Sequence, residues 1–132
     1  MNREALVREQ LLTYLKKNKD YGDSFNESLD ELGIVAYTVR ARDKVKRIMQ
    51  LMRVSGEVSN ESMMDSLKDL FNYSVMAICW EMNTPQVSAI TDRLTYWAHN
   101  PNQFMEYLRE RKAVVTDSEG ETIDNLFRVL IS

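Results

Sequence analysis

The sequence predicts an all-α domain, an antiparallel helical bundle with additional C-terminal helices. Three observations carry this. At 132 residues the chain is the size of one domain able to bury its own core. With 44% hydrophobic and 28% charged residues it is too apolar for disorder, and four Gly and two Pro are too few turn residues for a many-stranded β fold. Apolar residues also recur at helical rather than strand spacing along most of the chain.

Taken in order, the segment from Asn2 to Lys17 carries Val7, Leu11, Leu12 and Leu15 without a breaker, which predicts a first helix. It is expected to end in NKDYGDS, where Asn, Asp and Gly offer turn chemistry and Asp23 or Ser24 can cap the next helix. That helix starts near Phe25, pauses at Gly33, and resumes with Ile34, Tyr37, Ala41, Val45, Ile48 and Met52 on one stripe. VSGEVSN then reverses the chain, with Asn60 as cap. From Glu61 to Met82 the stripe is Met64, Leu67, Phe71, Val75, Ile78 and Met82.

Beyond Met82, Thr84-Pro85 opens a helix with Val87, Ile90, Leu94 and Trp97 inward, stopped by Asn100-Pro101. Pro101 opens another, with Phe104 and Leu108 inward, decaying near Lys112 into the extended run AVVT. Ser118 to Glu121 reads as a capping box before Ile123, Leu126, Phe127 and Leu130. Residues 1–82 thus form a helical core, and 83–132 a helical extension packed on the same domain or at an oligomer interface.

Several function classes are excluded or disfavoured. No stretch approaches the roughly 18 apolar residues of a membrane span. The N-terminal residues are charged throughout, unlike a signal peptide, and the single Cys79 cannot form an internal disulfide, so a cytoplasmic protein is expected. A net charge of -3 argues against a generic nucleic-acid binder. There is no P-loop, G-x-G-x-x-G or G-x-S-x-G motif.

The polar residues are more informative. KNKDYGDSFNESLDELG, residues 17–33, holds five carboxylates, a tyrosine and two glycines. Glu27 and Glu31 lie one helical turn apart with Asp30 adjacent. On the following long helix Arg40, Lys44 and Arg47 recur at i, i+4, i+7, and Ala36 to Arg53 carries six basic residues against Asp43 alone. On the next helix Glu61, Asp65 and Asn72 project within one narrow sector, with Asp69 beside it. Carboxylates next to a cationic ridge suit phosphate chemistry with a hard metal, although acidic i, i+4 pairs are also common on solvated faces.

KNKDYGDSF, RARDKVKR and ESMMDSLKDLFNYSV, in that order, resemble the consecutive blocks of a phage and bacterial family, nucleotide modification associated domain 1, itself similar to the all-α MazG-like nucleoside triphosphate pyrophosphohydrolases. The resemblance covers roughly Lys16 to Met82. It implies a helical, usually oligomeric enzyme that uses Mg²⁺ (or Mn²⁺) to cleave a nucleoside triphosphate between its α and β phosphates, with phage nucleotide metabolism as one expected setting. The metal ligands it implies are Glu27, Glu31, Glu61, Asp65 and Asp69, with Glu27, Glu31 and Asp65 catalytic. Lys19, Tyr21, Arg40, Lys44, Arg47 and Asn72 would bind the nucleotide. Both acidic pairs are i, i+4 here rather than the E-x-x-E and E-x-x-D of that group.

Other residues read more plainly. His99 suits a surface or capping role, Cys79 a buried inert thiol, and the methionines adaptable packing. The rival reading is a non-enzymatic helical interaction protein, with Tyr96, Trp97, Phe104 and Tyr107 as partner anchors or as an oligomer core.

Overall fold

A computed structural model describes residues 1–21, 23–55, 61–84 and 86–132; the side chains of Asp20, Tyr21 and Ser55 also fall outside the description. The expected roles of Gly22 and Pro85, and of Asn60 as cap, lie outside the described residues, as does that of the Tyr21 side chain. Among the described residues the fold is seven helices and no strand: α1 Arg3–Tyr21, α2 Ser24–Leu32, α3 Val35–Ser55, α4 Glu61–Glu81, α5 Val87–His99, α6 Pro101–Glu110 and α7 Asp117–Leu130. The all-α bundle is as the sequence predicts.

Helix α1 runs four residues past its expected end, through Asn18, Lys19 and Asp20 to Tyr21. Asn and Asp are only modestly unfavourable inside a helix, so their presence does not by itself end one. Asp23 stands at the N-cap of α2 with φ -99° and makes no side-chain bond to the backbone there. Its Oδ2 accepts from Asn26 Nδ2 at 3.0 Å. Gly33, at φ +73°, ψ -164°, closes α2 by donating its N–H to the Leu29 carbonyl at 2.8 Å. This is backbone that L side chains rarely adopt, so the pause expected at Gly33 has a conformational cause.

Helices α3 and α4 form the central pair. Tyr37 meets Ser74 and Lys44 meets Asp69, so one helix runs up as the other runs down. Tyr37, Ala41, Val45 and Ile48 bury the α3 stripe as expected. On α4 the buried face is wider than predicted: Leu67, Phe71 and Val75 are joined by Met63, Ser66, Leu70, Ser74 and Ala77, while Met82 is exposed. A helix enclosed on several sides loses the single-stripe pattern that a surface helix shows. Helix α1 lies on α5 and α4, α2 bridges α3 and α4, and α6 and α7 cover the remainder of α4.

The C-terminal helices belong to this same core. Trp97, Phe104, Phe127 and Phe71 form a chain of ring contacts with centroids 4.6 to 5.6 Å apart. Trp97 and Phe104 point inward as their spacing predicts, and Tyr107 is buried with them inside the chain, which corrects the rival reading of these three as partner anchors or an oligomer core; Tyr96 of the four is exposed. The capping box is also displaced by two residues. Thr116 accepts from the Glu119 N–H at 3.1 Å while Glu119 turns back to the Thr116 N–H, so α7 begins before Ser118. Val87 is 45% exposed rather than inward.

Two polar contacts, one buried and one half-buried, tie the layers. Ser74 Oγ contacts Tyr37 OH at 2.7 Å and donates to the Leu70 carbonyl at 2.7 Å. Farther along α3, Arg42 forks onto both Glu119 oxygens at 2.8 and 3.1 Å and also donates to the Ala113 carbonyl, fastening α7 to α3.

Candidate functional site

A cavity of about 230 Å³ opens between α1, α2, α3 and α4. Helix α1 presents Tyr14, Lys17 and Asn18 on one face, at i, i+3 and i+4. The start of α2 gives Asp23, Ser24 and Phe25, α3 gives Arg40, and α4 gives Asp69, Asn72, Tyr73 and Met76 from successive turns. The break at Gly33 folds α2 back on α3 and α4, which brings Phe25 against residues distant in the chain.

The walls are aromatic and cationic. Phe25 and Tyr73 stand edge to face with centroids 5.1 Å apart, and the Arg40 guanidinium lies 5.7 Å from one ring centroid and 5.8 Å from the other. A guanidinium at that range is attracted by the ring quadrupoles and keeps N–H donors free for an anion. Burial, with the negative charge of Asp23, pushes the Tyr14 hydroxyl above its ordinary value, so it stays protonated and able to donate.

At the rim, Asp69 receives Lys44 at 3.0 Å and Lys17 at 3.8 Å. Two ammonium groups around one carboxylate leave a local excess of positive charge. Deeper in, Asn72 is 6% exposed and its Oδ1 accepts no hydrogen bond. An unpaired buried acceptor costs roughly 1–3 kcal/mol, and such groups in native folds call for a reason.

The expected site residues are distributed unevenly. Arg40, Asp69 and Asn72 line the cavity, and Lys44 reaches its rim through Asp69. Lys19 and Arg47 are exposed and do not line it. Glu27 and Glu31 are exposed on α2, and Glu61 and Asp65 are exposed at the start of α4. Asp30, adjacent to them, accepts the Trp80 indole N–H at 2.7 Å. His99 is exposed, and Cys79 is buried, with burial raising its thiol above the ordinary value.

The donor set tests the metal that the resemblance implies. Among the described residues no three His, Cys, Asp or Glu side chains form a group that could hold a metal ion. Asp69, the member of the expected set that lines the cavity, has lysines for neighbours. Among the described residues the carboxylates of the expected set are thus not gathered into one group, and the cavity walls themselves offer mainly cations and aromatic rings.

Tyr14, Lys17, Asn18, Asp23, Ser24, Phe25, Tyr73 and Met76 escaped the sequence reading. A signal existed for some of them: Asp69 and Tyr73, and Asn72 and Met76, are i, i+4 pairs on the helix already singled out.

Residues 17–80 match the family model of nucleotide modification associated domain 1. Every residue lining the cavity except Tyr14 falls within the matched segment. No curated protein and no solved structure matches the chain. No helix among the described residues is long and apolar enough to cross a membrane.

Proposed function

We propose that the cavity between α1, α2, α3 and α4 binds a nucleotide and that the protein acts on (deoxy)nucleoside triphosphates, releasing pyrophosphate in the manner of an Mg²⁺- or Mn²⁺-dependent pyrophosphohydrolase. One observation carries the binding part of this reading. Within the segment matching the nucleotide modification family, a single cavity combines an aromatic pair, an Asn amide with an unpaired oxygen, and Lys17 and Arg40.

The size of the cavity fits one part of such a ligand. Sites that bury a drug-sized molecule run to about 300–1,000 Å³, so 230 Å³ accommodates a ring system and leaves a triphosphate outside. The phosphates then lie at the rim, where Lys17, Lys44 and Arg40 supply charge. There they hold the chain in place and neutralise its non-bridging oxygens. The hydrolytic part rests on the resemblance, which implies Asp65 and Asp69, one turn apart on α4, among its carboxylates; Asp69 lines the cavity.

A panel of common and modified nucleoside triphosphates, with and without Mg²⁺ or Mn²⁺, tests it by released pyrophosphate and by binding, alongside Asp65→Asn. Metal-dependent release from a preferred substrate, abolished in the variant, is the expected result. Binding without turnover under either metal removes the hydrolytic part and leaves a nucleotide-binding domain. Absence of both binding and turnover across the panel overturns the proposal.

A further inference from the structure

We infer that Asn72 is the specificity-determining residue of this site and that it selects a heteroaromatic ring presenting an N–H donor on its edge; the inference rests on the nucleotide reading above. The argument starts from what the amide lacks. Asn72 sits on the cavity wall in the middle of α4, nine-tenths buried, with Oδ1 accepting no hydrogen bond. The neighbouring buried polar residue on the same helix, Ser74, is satisfied twice, by Tyr37 and by the Leu70 carbonyl. The fold therefore can satisfy a buried polar group here and leaves this one unsatisfied.

The surroundings narrow what would complete it. Phe25, Tyr73 and Met76 give an apolar, flat-walled space suited to a ring rather than to a phosphate or a free sugar. The terminal torsion of Asn is two-fold, so the amide can turn either end toward a bound ring. An amide edge pairs with an adjacent donor and acceptor, the pattern that nucleobase edges carry. A ring without the N–H would leave the Asn72 oxygen buried and unpaired as it is now, which is the arrangement that rejects an analogue most strongly.

The experiment uses full-length protein and three ligand pairs measured by calorimetry: dATP against purine deoxyriboside triphosphate, dTTP against its N3-methyl derivative, and dCTP against its N4,N4-dimethyl derivative. For whichever parent binds best, the analogue without the N–H is expected to bind about tenfold to a hundredfold more weakly. In Asn72→Leu that ratio should collapse toward one. Because leucine removes the unpaired oxygen at similar volume, Tm should rise by about 3 °C. Equal binding of parent and analogue to the natural protein overturns the inference while the nucleotide reading stands. So does a ratio that survives in Asn72→Leu, or a fall in Tm in that variant, which would make Asn72 a structural residue. If none of the six ligands binds, the same comparison of parent and N-methylated analogue is made on whichever member of the wider triphosphate panel does bind; if no member binds, the nucleotide reading itself fails and this inference fails with it.

Discussion

Lys44 on α3 and Asp69 on α4 are joined at 3.0 Å, so two residues that separately suggest a phosphate binder and a metal ligand neutralise each other in the folded chain. Lys17 of α1 adds a second ammonium at 3.8 Å. The pair thus acts as an internal counter-ion at the cavity rim, and an incoming phosphate competes with Asp69 for the lysines.

Asp69→Asn is therefore expected to tighten metal-free binding of a nucleoside triphosphate, by roughly threefold to tenfold, because the lysines lose their competitor. The fold should barely notice, since a partly exposed ion pair contributes about 0–1 kcal/mol. Titration calorimetry in chelator, paired with a thermal melt, checks both. Unchanged or weaker binding would mean that these lysines do not meet the phosphates.

The link between α3 and α7 should give a defined acid transition. Arg42 first, then the Val115 and Thr116 N–H groups, hold the Glu119 carboxyl down to about 2 from its ordinary 4.5. A depressed carboxylate stabilises the fold in full above its unfolded value and loses that contribution as pH falls through its folded one. The contribution should thus fade between about pH 4.5 and pH 2. Glu119→Gln retains the capping geometry but not the charge, so it should lower stability near neutrality by about 1 kcal/mol and flatten this part of the pH profile relative to the natural protein. Urea melts from pH 2 to 7 give the comparison.

How far the fold was legible depended on whether a feature was local. The α3 stripe and the pause at Gly33 follow from residues within one or two turns, and both stand in the structure. The α7 cap did not: Thr116 and Ser118 are both good caps, with Glu119 and Glu121 each three residues on, and the choice is fixed by Arg42, 77 residues away from Glu119. Trp97, Phe104 and Tyr107 read as partner anchors or, better, as core, but whether that core is the chain's own or an oligomer's depends on which helix lies opposite. The site was half visible for the same reason. Arg40, Asp69 and Asn72 carry charge or amide chemistry that a sequence displays, whereas Phe25 and Asn18 matter only because α2 folds back and α1 runs on past Lys17.

The buried Tyr37–Ser74 contact predicts an asymmetric pair of mutants. In Tyr37→Phe, Ser74 keeps its bond to the Leu70 carbonyl and no buried group is left unpaired, so the loss should be about 1 kcal/mol. In Ser74→Ala the Tyr37 hydroxyl, in a side chain with no exposure, loses its partner and the cost should reach roughly 2–3 kcal/mol. Chemical denaturation of both variants measures the difference; equal losses would mean that the hydroxyl finds another acceptor.

Gly33 connects backbone conformation to the site. At φ +73° and ψ -164° it occupies backbone open in practice to glycine alone, and a Cβ placed there meets no atom within 4 Å, so any penalty in Gly33→Ala comes from the backbone and not from a clash. The expected cost is about 1–3 kcal/mol. Part of that strain can be relieved by rotating α2 away from α3, and α2 carries Ser24 and Phe25 into the cavity. The variant should therefore lose nucleotide affinity as well as stability, with the Phe25 ring moved from beneath Arg40. Tyr37→Phe, of similar cost and outside the cavity lining, serves as the control: if stability alone set affinity, both variants would bind equally, and weaker binding in Gly33→Ala alone assigns the effect to the placement of α2.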